Sequence, residues 1–361
     1  YALIMAGGVG KRFWPMSKRS KPKQFLNLFG EKSMIRMTYD RLKSFVDKKN
    51  IFVITNEDQI DLTYKHLPDL PKTNIIGEPF GKDTAPCIAL GALMAASKDP
   101  DAVMVVLPAD HLITNTKEFH SVLKLGADLA STDESLITIG ISPTRPETGY
   151  GYIQFDSENA DKYIPETFHN KGILRVKTFA EKPNLATAKR FIESGDFLWN
   201  SGIFIWKAKT ILKEIEESLP ELYDSMYELQ PHFNRDTFNE ALLSVYRQIS
   251  SISIDYGVME KAKNVFLLRG DFGWSDVGSW AEFYKLNEKD EDGNFVSGNC
   301  VSHDSSNNLI ISDKHLVAAI GVKDMVIVNS DDIFLVCPQD STQDIKNIVD
   351  MLRRKKMDDF L

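Results

Sequence analysis

The sequence has few cysteines, no long apolar run and no excess of positive charge. Its three cysteines, Cys87, Cys300 and Cys337, form neither a CxxC pair nor a disulfide framework. We therefore expect a protein of the reducing cytoplasm. Apolar runs such as Ala102–Leu107 are far shorter than the roughly 20 residues that a membrane-spanning helix requires, so we expect no membrane partner.

The charge balance is acidic, with 43 Lys and Arg against 51 Asp and Glu and a net charge of −8. Such a balance argues against nucleic acid as a partner. The first 30 residues differ, because they contain no acid and six cations. These cations are Lys11, Arg12, Lys18, Arg19, Lys21 and Lys23. The cluster is either a solvated basic surface or a site for a small polyanion.

Apolar runs and helical stretches alternate along the first part of the chain, which predicts an α/β domain over residues 1–287. The predicted strands are Ala2–Ala6, Ile51–Thr55, Ala102–Leu107 and Leu136–Ile141, and the predicted helices are Ser33–Lys48 and Asp83–Lys98. Strands that alternate with helices indicate a Rossmann-like, mostly parallel sheet with helices on both faces.

From residue 288 to 361 the pattern changes to short apolar strands. These are Leu309–Ile311, Leu316–Ile320, Met325–Val328 and Ile333–Cys337. A spacing of roughly eight residues predicts a small β-rich domain, either a sandwich fragment or a short β-helix. The tail Asp344–Lys356 predicts an amphipathic helix, and its basic end suits the helix dipole.

A glycine-rich turn, AGGVGKR at residues 6–12, follows the first predicted strand. It is not the dinucleotide GxGxxG loop, because Phe13 stands at the third glycine, and it is not a Walker loop, because Met5 stands at the first. Such a turn exposes backbone N–H groups to phosphate, although a purely structural turn has the same sequence pattern. Arg12 and Lys23 favour the phosphate interpretation, because they could neutralise a triphosphate.

The loop residues continue into a longer pattern that includes Pro15, Ser17 and the KPKQF segment at 21–25. Further motifs follow in order: GEP (77–79), KDTAP (82–86), PADH (108–111), GYGY (149–152), FAEKP (179–183), WNSGIF (199–204), SIDYG (253–257) and GWSDVGSW (273–280). Over residues 1–285 this series resembles the sugar-1-phosphate nucleotidylyltransferase family. The PKQF version resembles its mannose-1-phosphate guanylyltransferase (GDP-mannose pyrophosphorylase) branch.

The resemblance implies the nucleotide-diphospho-sugar transferase fold, with a C-terminal domain like a left-handed β-helix, and a homodimer. It also implies that a phosphate oxygen of α-D-mannose 1-phosphate attacks the α-phosphorus of GTP, so that GDP-mannose forms and diphosphate leaves. The implied catalytic residues are Arg12, Lys23, Asp110 and Asp276, of which Asp110 and Asp276 would hold Mg²⁺. Taken alone, Asp110 could equally be a helix N-cap, and Asp276 could brace its loop.

The same resemblance implies the binding residues. Those for the nucleotide are Ala6, Gly7, Gly8, Gly10, Lys11, Arg12 and Lys23. Glu78 and the helix start at Asp83, Thr84 and Ala85 are added as our own hypothesis for contacts with the base. Those for the sugar phosphate are Asp110, Gly149, Glu181, Lys182 and Asn200. Glu78 is our candidate for reading guanine, because a carboxylate can accept from its N1–H and N2–H₂ groups. Two alternatives stay open: a uridylyl- or thymidylyltransferase of the same fold, and a non-catalytic sensor of nucleotide sugars.

Overall fold

A computed structural model describes residues 1–156 and 160–361 of the chain. The strands are β1 (Ala2–Ala6), β2 (Ile51–Asn56), β3 (Ile75–Glu78), β4 (Val103–Pro108), β5 (Leu112–Ile113), β6 (Leu136–Ile141), β7 (Tyr152–Asp156), β8 (Leu174–Ala180), β9 (Phe197–Lys207), β10 (Val265–Arg269), β11 (Trp274–Ser275), β12 (Phe295–His303), β13 (Leu309–Ile320), β14 (Met325–Ser330) and β15 (Ile333–Pro338). The α-helices are α1 (Met34–Leu42), α2 (Ile60–His66), α3 (Thr84–Lys98), α4 (Thr116–Thr132), α5 (Leu185–Ser194), α6 (Ala208–Ser218), α7 (Pro220–Tyr227), α8 (Phe238–Gln248), α9 (Trp280–Leu286) and α10 (Ile345–Arg354). In the described part of the chain, no helix combines the length and the apolar character that crossing a membrane requires.

The chain divides into two compact units, and each unit is assembled from separate stretches of sequence. Unit 1 consists of Tyr1–Gly7, Thr38–Ala109 and Ile113–Trp274, and unit 2 of Gly8–Met37, Asp110–Leu112 and Ser275–Leu361. This division rests on contacts, whereas the predicted boundary after residue 287 rests on a change of sequence pattern. That boundary stays a prediction.

Unit 1 is built on a sheet with the strand order β3-β2-β1-β4-β9-β6-β10-β8-β7. Strands β3, β2, β1 and β4 run parallel to one another, as the alternation of strands and helices predicts. Strand β9 runs antiparallel to both of its neighbours β4 and β6. The α/β class is therefore confirmed. The strands are all parallel only in the part of the sheet formed by β3, β2, β1 and β4.

Helices cover both faces of this sheet. On β9, Phe204 and Trp206 are buried in one core with residues of α3 and α6. The intervening Ile205 faces α4, since a Cβ added at Gly126 of that helix would lie 2.4 Å from its Cδ1. Successive side chains of a strand point to opposite faces. Helix α4 therefore packs on the face opposite α3 and α6.

Unit 2 contains a sheet in the order β12-β13-β14-β15. Strands β12, β13 and β14 are parallel, and β15 returns antiparallel to β14. The inward residues of these strands share one hydrophobic core with Phe13, Trp280 and two residues of α10, Ile345 and Val349. The β-rich C-terminal part and its terminal helix are therefore confirmed.

Two elements differ from their predicted bounds. The predicted strands Leu309–Ile311 and Leu316–Ile320 form one strand, β13, whose pairing with β12 shifts register after Ser312. Ser312 itself is paired with Gly298 and Asn329, and its hydroxyl donates to the Asn329 side chain at 2.9 Å. Helix α1 ends at Leu42 rather than Lys48, and a separate 3₁₀ turn follows at Lys48–Asn50, where Asp47 accepts from the backbone N–H of Lys49.

Candidate active site

The glycine loop brings Lys23 close to the backbone that follows β1. Gly10 has a positive φ of 73°, and a Cβ at this position would lie 2.4 Å from the Cβ of Lys23. The backbone N–H of Lys23 donates to the carbonyl oxygen of Val9 at 3.1 Å. Only glycine fits a left-handed position with so little space, so the glycine at position 10 is required by the close approach of Lys23.

The Lys23 ammonium group lies between the two predicted metal-binding segments. Its side chain is 6% exposed, and Nζ lies 2.9 Å from Oδ2 of Asp110. Nζ also donates to two backbone carbonyl oxygens, that of Asp110 at 3.1 Å and that of Asp276 at 2.5 Å. One nearly buried cation thus connects residues that are far apart in the sequence.

Asp110 lies in a turn after β4, and 32% of its side chain is exposed. The next α-helix, α4, begins at Thr116 and has Asn115 as its N-cap, so the N-cap interpretation of Asp110 is wrong. Burial opposes ionisation of Asp110, but the positive charges of Lys23 and His111 outweigh it and hold its pKa below the usual value. Asp110 is therefore a carboxylate at neutral pH and can bind a cation.

The segment that carries Asp276 has a strained backbone. The next residue, Val277, has a φ of 47°, which is a rare conformation for a β-branched residue. A Cβ at Gly278 would lie 2.8 Å from Oδ2 of Asp276, so only glycine at 278 leaves room for the carboxylate. Strain of this kind is concentrated at functional sites, where the surrounding structure maintains it.

A cavity of about 430 Å³ in unit 2 collects these groups, and we call it the phosphate cavity. It is lined by Gly10, Lys11, Arg12, Phe13, Lys23, Asp110, His111, Asp276, Val277, Gly278, Lys346 and Asp350. Its lining includes the predicted catalytic residues Arg12, Lys23, Asp110 and Asp276. Within residues 1–156 and 160–361, the buried Nε of Arg12 has no hydrogen-bond partner. An added anion could supply one.

The phosphate cavity offers a partial set of metal ligands. Among the described residues, no group of three or more His, Cys, Asp or Glu side chains could hold a metal ion. Two carboxylates, Asp110 and Asp276, do line the same cavity. Mg²⁺ is often bound by one or two carboxylates together with substrate phosphates and water. The donor set therefore fits Mg²⁺ in the company of a phosphate ligand.

A second cavity, of about 350 Å³, lies in unit 1, and we call it the sugar cavity. It is lined by Asp83, Thr84, Glu181, Lys182, Ser251, Ile252, Ser253, Asp255 and Tyr256. The Lys182 ammonium group lies 2.8 Å from Oε1 of Glu181. Asp83 and Lys182 have positive φ angles of 69° and 45°, so this cavity also contains strained motif residues.

Asn200 is connected to this cavity through Asp255, a residue that the sequence did not single out. The Asn200 amide donates to Oδ1 of Asp255 at 2.7 Å. Burial and the nearby charge of Glu181 raise the pKa of Asp255 to about 6. The SIDYG motif contained Asp255, but nothing in the sequence showed that it would be buried beside Asn200.

The two glycines of the GYG motif have different environments. Gly149 is exposed, and its backbone N–H donates to Oε1 of Glu147 at 3.1 Å. A Cβ at Gly151 would lie 2.4 Å from Oε2 of Glu181. Gly151 is therefore packed against Glu181, and the close approach of the Gly149 backbone to a sugar phosphate stays a prediction.

Glu78 is buried, with 4% of its surface exposed. The Tyr246 hydroxyl, which the sequence did not predict as a partner, donates to Oε1 of Glu78 at 2.7 Å. Burial raises the pKa of Glu78 to about 7, although this hydrogen bond favours the ionised form. A Cβ at Gly7 would lie 3.8 Å from Oε2, so the second oxygen of Glu78 faces the first glycine of the loop.

The other predicted nucleotide-binding residues lie at the ends of elements. Ala6 ends β1 and is buried, whereas Gly7 and Gly8 are exposed. At the start of α3, the Thr84 hydroxyl accepts from the backbone N–H of Ile254 at 2.8 Å. The N–H of Ala85 donates to the carbonyl oxygen of Ile252 at 3.1 Å. Two of the polar groups at this helix start are therefore bonded within the protein.

Comparison with known proteins agrees with these features. A family model described as nucleotidyl transferase matches residues 1–293. The chain belongs to this family. A second model, described as the MannoseP isomerase/GMP-like beta-helix domain, matches residues 298–352 of this nucleotidyl transferase. The family resemblance of the glycine-loop motifs is confirmed, and so is the β-helix-like character of the C-terminal part.

Relatives of this nucleotidyl transferase match along most of its length. The mannose-1-phosphate guanylyltransferase of Escherichia coli is 39% identical over 355 residues, which is 97% of this chain and 75% of that protein. The enzyme of the same name from Klebsiella pneumoniae is 39% identical over 99% of this chain and 75% of its own length. The crystal structure of mannose-1-phosphate geranyltransferase from Thermus thermophilus is 31% identical, with a TM-score of 0.84, and covers 98% of this chain and 99% of that one.

Proposed function

We propose that this nucleotidyl transferase is a mannose-1-phosphate guanylyltransferase, which converts GTP and α-D-mannose 1-phosphate into GDP-mannose and diphosphate. The observation that carries the proposal is the phosphate cavity, where the ammonium group of Lys23 lies 2.9 Å from the Asp110 carboxylate and donates to the backbone of Asp276. The names of the relatives support the choice of substrates.

The residues of the phosphate cavity would act by charge and position. Arg12 and Lys23 neutralise the nucleotide phosphates, and Asp110 keeps the Lys23 ammonium group in place. Asp110 and Asp276 would hold Mg²⁺, which when bound stabilises negative charge on the phosphate oxygens. The attacking group is already a phosphate anion, so the protein needs no general base. Alignment and charge stabilisation supply most of the rate in such transfers.

The sugar cavity would bind mannose 1-phosphate. Lys182 suits a phosphate monoester, because its ammonium group is a compact point charge. Glu181 and Asn200 can bond sugar hydroxyls, with Gly149 allowing close approach of the backbone. Asp255 would orient Asn200, whose side-chain oxygen also accepts from the backbone N–H of Gly202 at 3.0 Å.

Glu78 would read the guanine base. Its Oε1 accepts from Tyr246, so Oε2 is the oxygen available for the N1–H or N2–H₂ group. We also propose that the enzyme is a cytoplasmic homodimer. The unpaired state of Cys87, Cys300 and Cys337 is what a reducing compartment would maintain.

Diphosphate release from GTP and mannose 1-phosphate tests the proposal. We expect turnover that requires Mg²⁺ and stops when EDTA is added. Asp276→Asn should lower kcat by at least about a hundredfold, since charge stabilisation of the transition state is lost. Surface Asp236→Asn, outside both cavities, is the control and should keep normal turnover. Nucleotide binding without Mg²⁺-dependent turnover would instead support the non-catalytic sensor.

A further inference from the structure

Helix α10, near the C-terminus, forms part of the wall of the phosphate cavity. Lys346 and Asp350 line this cavity together with Lys11 and Arg12, and all four belong to unit 2. The family model for the nucleotidyl transferase ends at residue 293. The cavity is therefore completed by a helix from outside the matched catalytic region.

The core of unit 2 fixes which side of α10 faces the cavity. Ile345 and Val349 are 2% and 5% exposed and pack in the same cluster as Phe13. Residues four apart lie on one side of a helix. Lys346 and Asp350 each follow one of these buried residues, so they lie together on the neighbouring side of the helix. The packing of Ile345 and Val349 in the core therefore holds this side at the cavity.

Of the two cavity residues of α10, one forms an ion pair within the protein and the other does not. The Asp350 carboxylate lies 2.9 Å from Nζ of Lys11, and 47% of its side chain is exposed. Lys346 is exposed, and across residues 1–156 and 160–361 no carboxylate lies within ion-pair distance of its ammonium group. Lys11 of the cavity is thus paired with a carboxylate of α10, whereas Lys346 of α10 is available to bind an anion.

We propose that Lys346 is a further phosphate-binding residue and that Asp350 competes with phosphate for Lys11. Lys346 would contact the part of the triphosphate that leaves as diphosphate, since lysine binds phosphate as a point charge. Asp350 is an anion in a cavity that binds anions, so it repels the phosphates and occupies Lys11 until they arrive. This inference rests on the proposed function, because it adds contacts to the same nucleotide site.

The two roles predict effects of opposite sign, which damage to α10 would not produce. Lys346→Ala should weaken the binding of inorganic diphosphate about tenfold, which is the usual effect of losing a hydrogen bond to a charged group. Lys346→Arg should restore most of the affinity. Asp350→Asn should strengthen binding about twofold, because an exposed ion pair contributes little and its loss frees Lys11.

Isothermal titration of the full-length chain with inorganic diphosphate tests the proposal. Lys355→Ala removes the same charge just beyond the end of α10 and outside the cavity, and should stay within twofold of wild type. Thermal unfolding shows whether each variant is folded. Lys346→Ala with wild-type affinity would overturn the role of Lys346. Unchanged or weaker binding by Asp350→Asn would overturn the competition for Lys11.

Failure of the proposed function would be seen separately. A wild-type protein that binds diphosphate but releases none from GTP and mannose 1-phosphate would refute the reaction and leave the role of Lys346 standing. In the opposite case, the wild-type protein turns over normally and Lys346→Ala leaves the affinity for diphosphate unchanged. This result would refute only the inference about α10.

Discussion

The Lys23 side chain organises the phosphate cavity through three contacts, one with a carboxylate and two with backbone carbonyl oxygens. Its importance could be predicted from the PKQF motif and from the absence of acid in the first 30 residues. The carbonyl contacts could not, because they depend on how Asp110 and Asp276 return to this loop in three dimensions. Sequence motifs identify side chains, whereas their backbone partners are set by the fold.

The sequence likewise could not predict which buried residues form hydrogen bonds with the site residues. Asp255 stands in a quoted motif and Tyr246 in none, yet Asp255 bonds Asn200 and Tyr246 bonds Glu78. Each partner is distant in sequence from the residue it contacts. A polar residue in a motif can be named as a candidate, but the environment that raises its pKa is known only from packing.

Glu78 should make the free energy of unfolding depend on pH. Its pKa rises from 4.5 to about 7 on folding, because the folded protein favours the protonated carboxyl group. The contribution of this group to the free energy of unfolding is therefore fully present below pH 4.5 and is lost as the pH rises through 7. Relative to Glu78→Gln, the wild-type protein should therefore lose about 3 kcal/mol of stability between pH 4.5 and 8. Urea unfolding of both proteins across this range measures it.

The surface variant Glu288→Gln is the control and should follow the wild-type profile. Parallel profiles for Glu78→Gln and wild type would contradict the buried, pKa-shifted state of Glu78. The same variant tests the reading of the base. If Glu78→Gln keeps the wild-type preference for GTP over ATP and UTP, Glu78 does not read guanine.

At the scale of elements, the sequence predicted the bounds of strands well. It predicted less well where a helix ends and in which direction a strand runs. The bounds of β1 and β6 agree with the sequence prediction, because a short apolar run between turns has few other structures available. Helix α1 is shorter than predicted, and β9 runs antiparallel between β4 and β6. Strand direction depends on long-range pairing, which hydrophobic periodicity does not encode.

The glycine loop provides a prediction at this scale. Gly10→Ala places a Cβ 2.4 Å from Cβ of Lys23, so Lys23 must move. We expect kcat/KM to fall by about a hundredfold, because a displacement of about 1 Å in a site can cost that much. Steady-state kinetics with GTP and mannose 1-phosphate measure the effect.

Gly30→Ala is the matched control, because Gly30 also has a positive φ, of 95°, but has nothing within 4 Å of the added Cβ. It should cost stability of about 1–2 kcal/mol from backbone strain and leave kcat/KM close to wild type. Equal losses of activity in Gly10→Ala and Gly30→Ala would show that strain, rather than displacement of Lys23, is responsible.

At the scale of the whole molecule, the sequence predicted two parts in order along the chain, whereas the contacts join distant segments. Gly8–Met37 packs in the same unit as Ser275–Leu361. The Trp14 indole N–H donates to the carbonyl oxygen of Phe360 at 2.8 Å, which joins the N-terminal segment to the end of the chain. No local pattern could reveal this, because the two residues meet only through the tertiary fold.

Guanylyl transfer to mannose 1-phosphate is tested most directly by a competition assay. The purified chain is given equimolar GTP, ATP, UTP and dTTP with the 1-phosphates of mannose, glucose and N-acetylglucosamine, in the presence of Mg²⁺, and the nucleotide sugars are identified by mass spectrometry. We predict GDP-mannose as the main product. A UDP- or dTDP-sugar as the main product, or the absence of any nucleotide sugar, would contradict the proposed function.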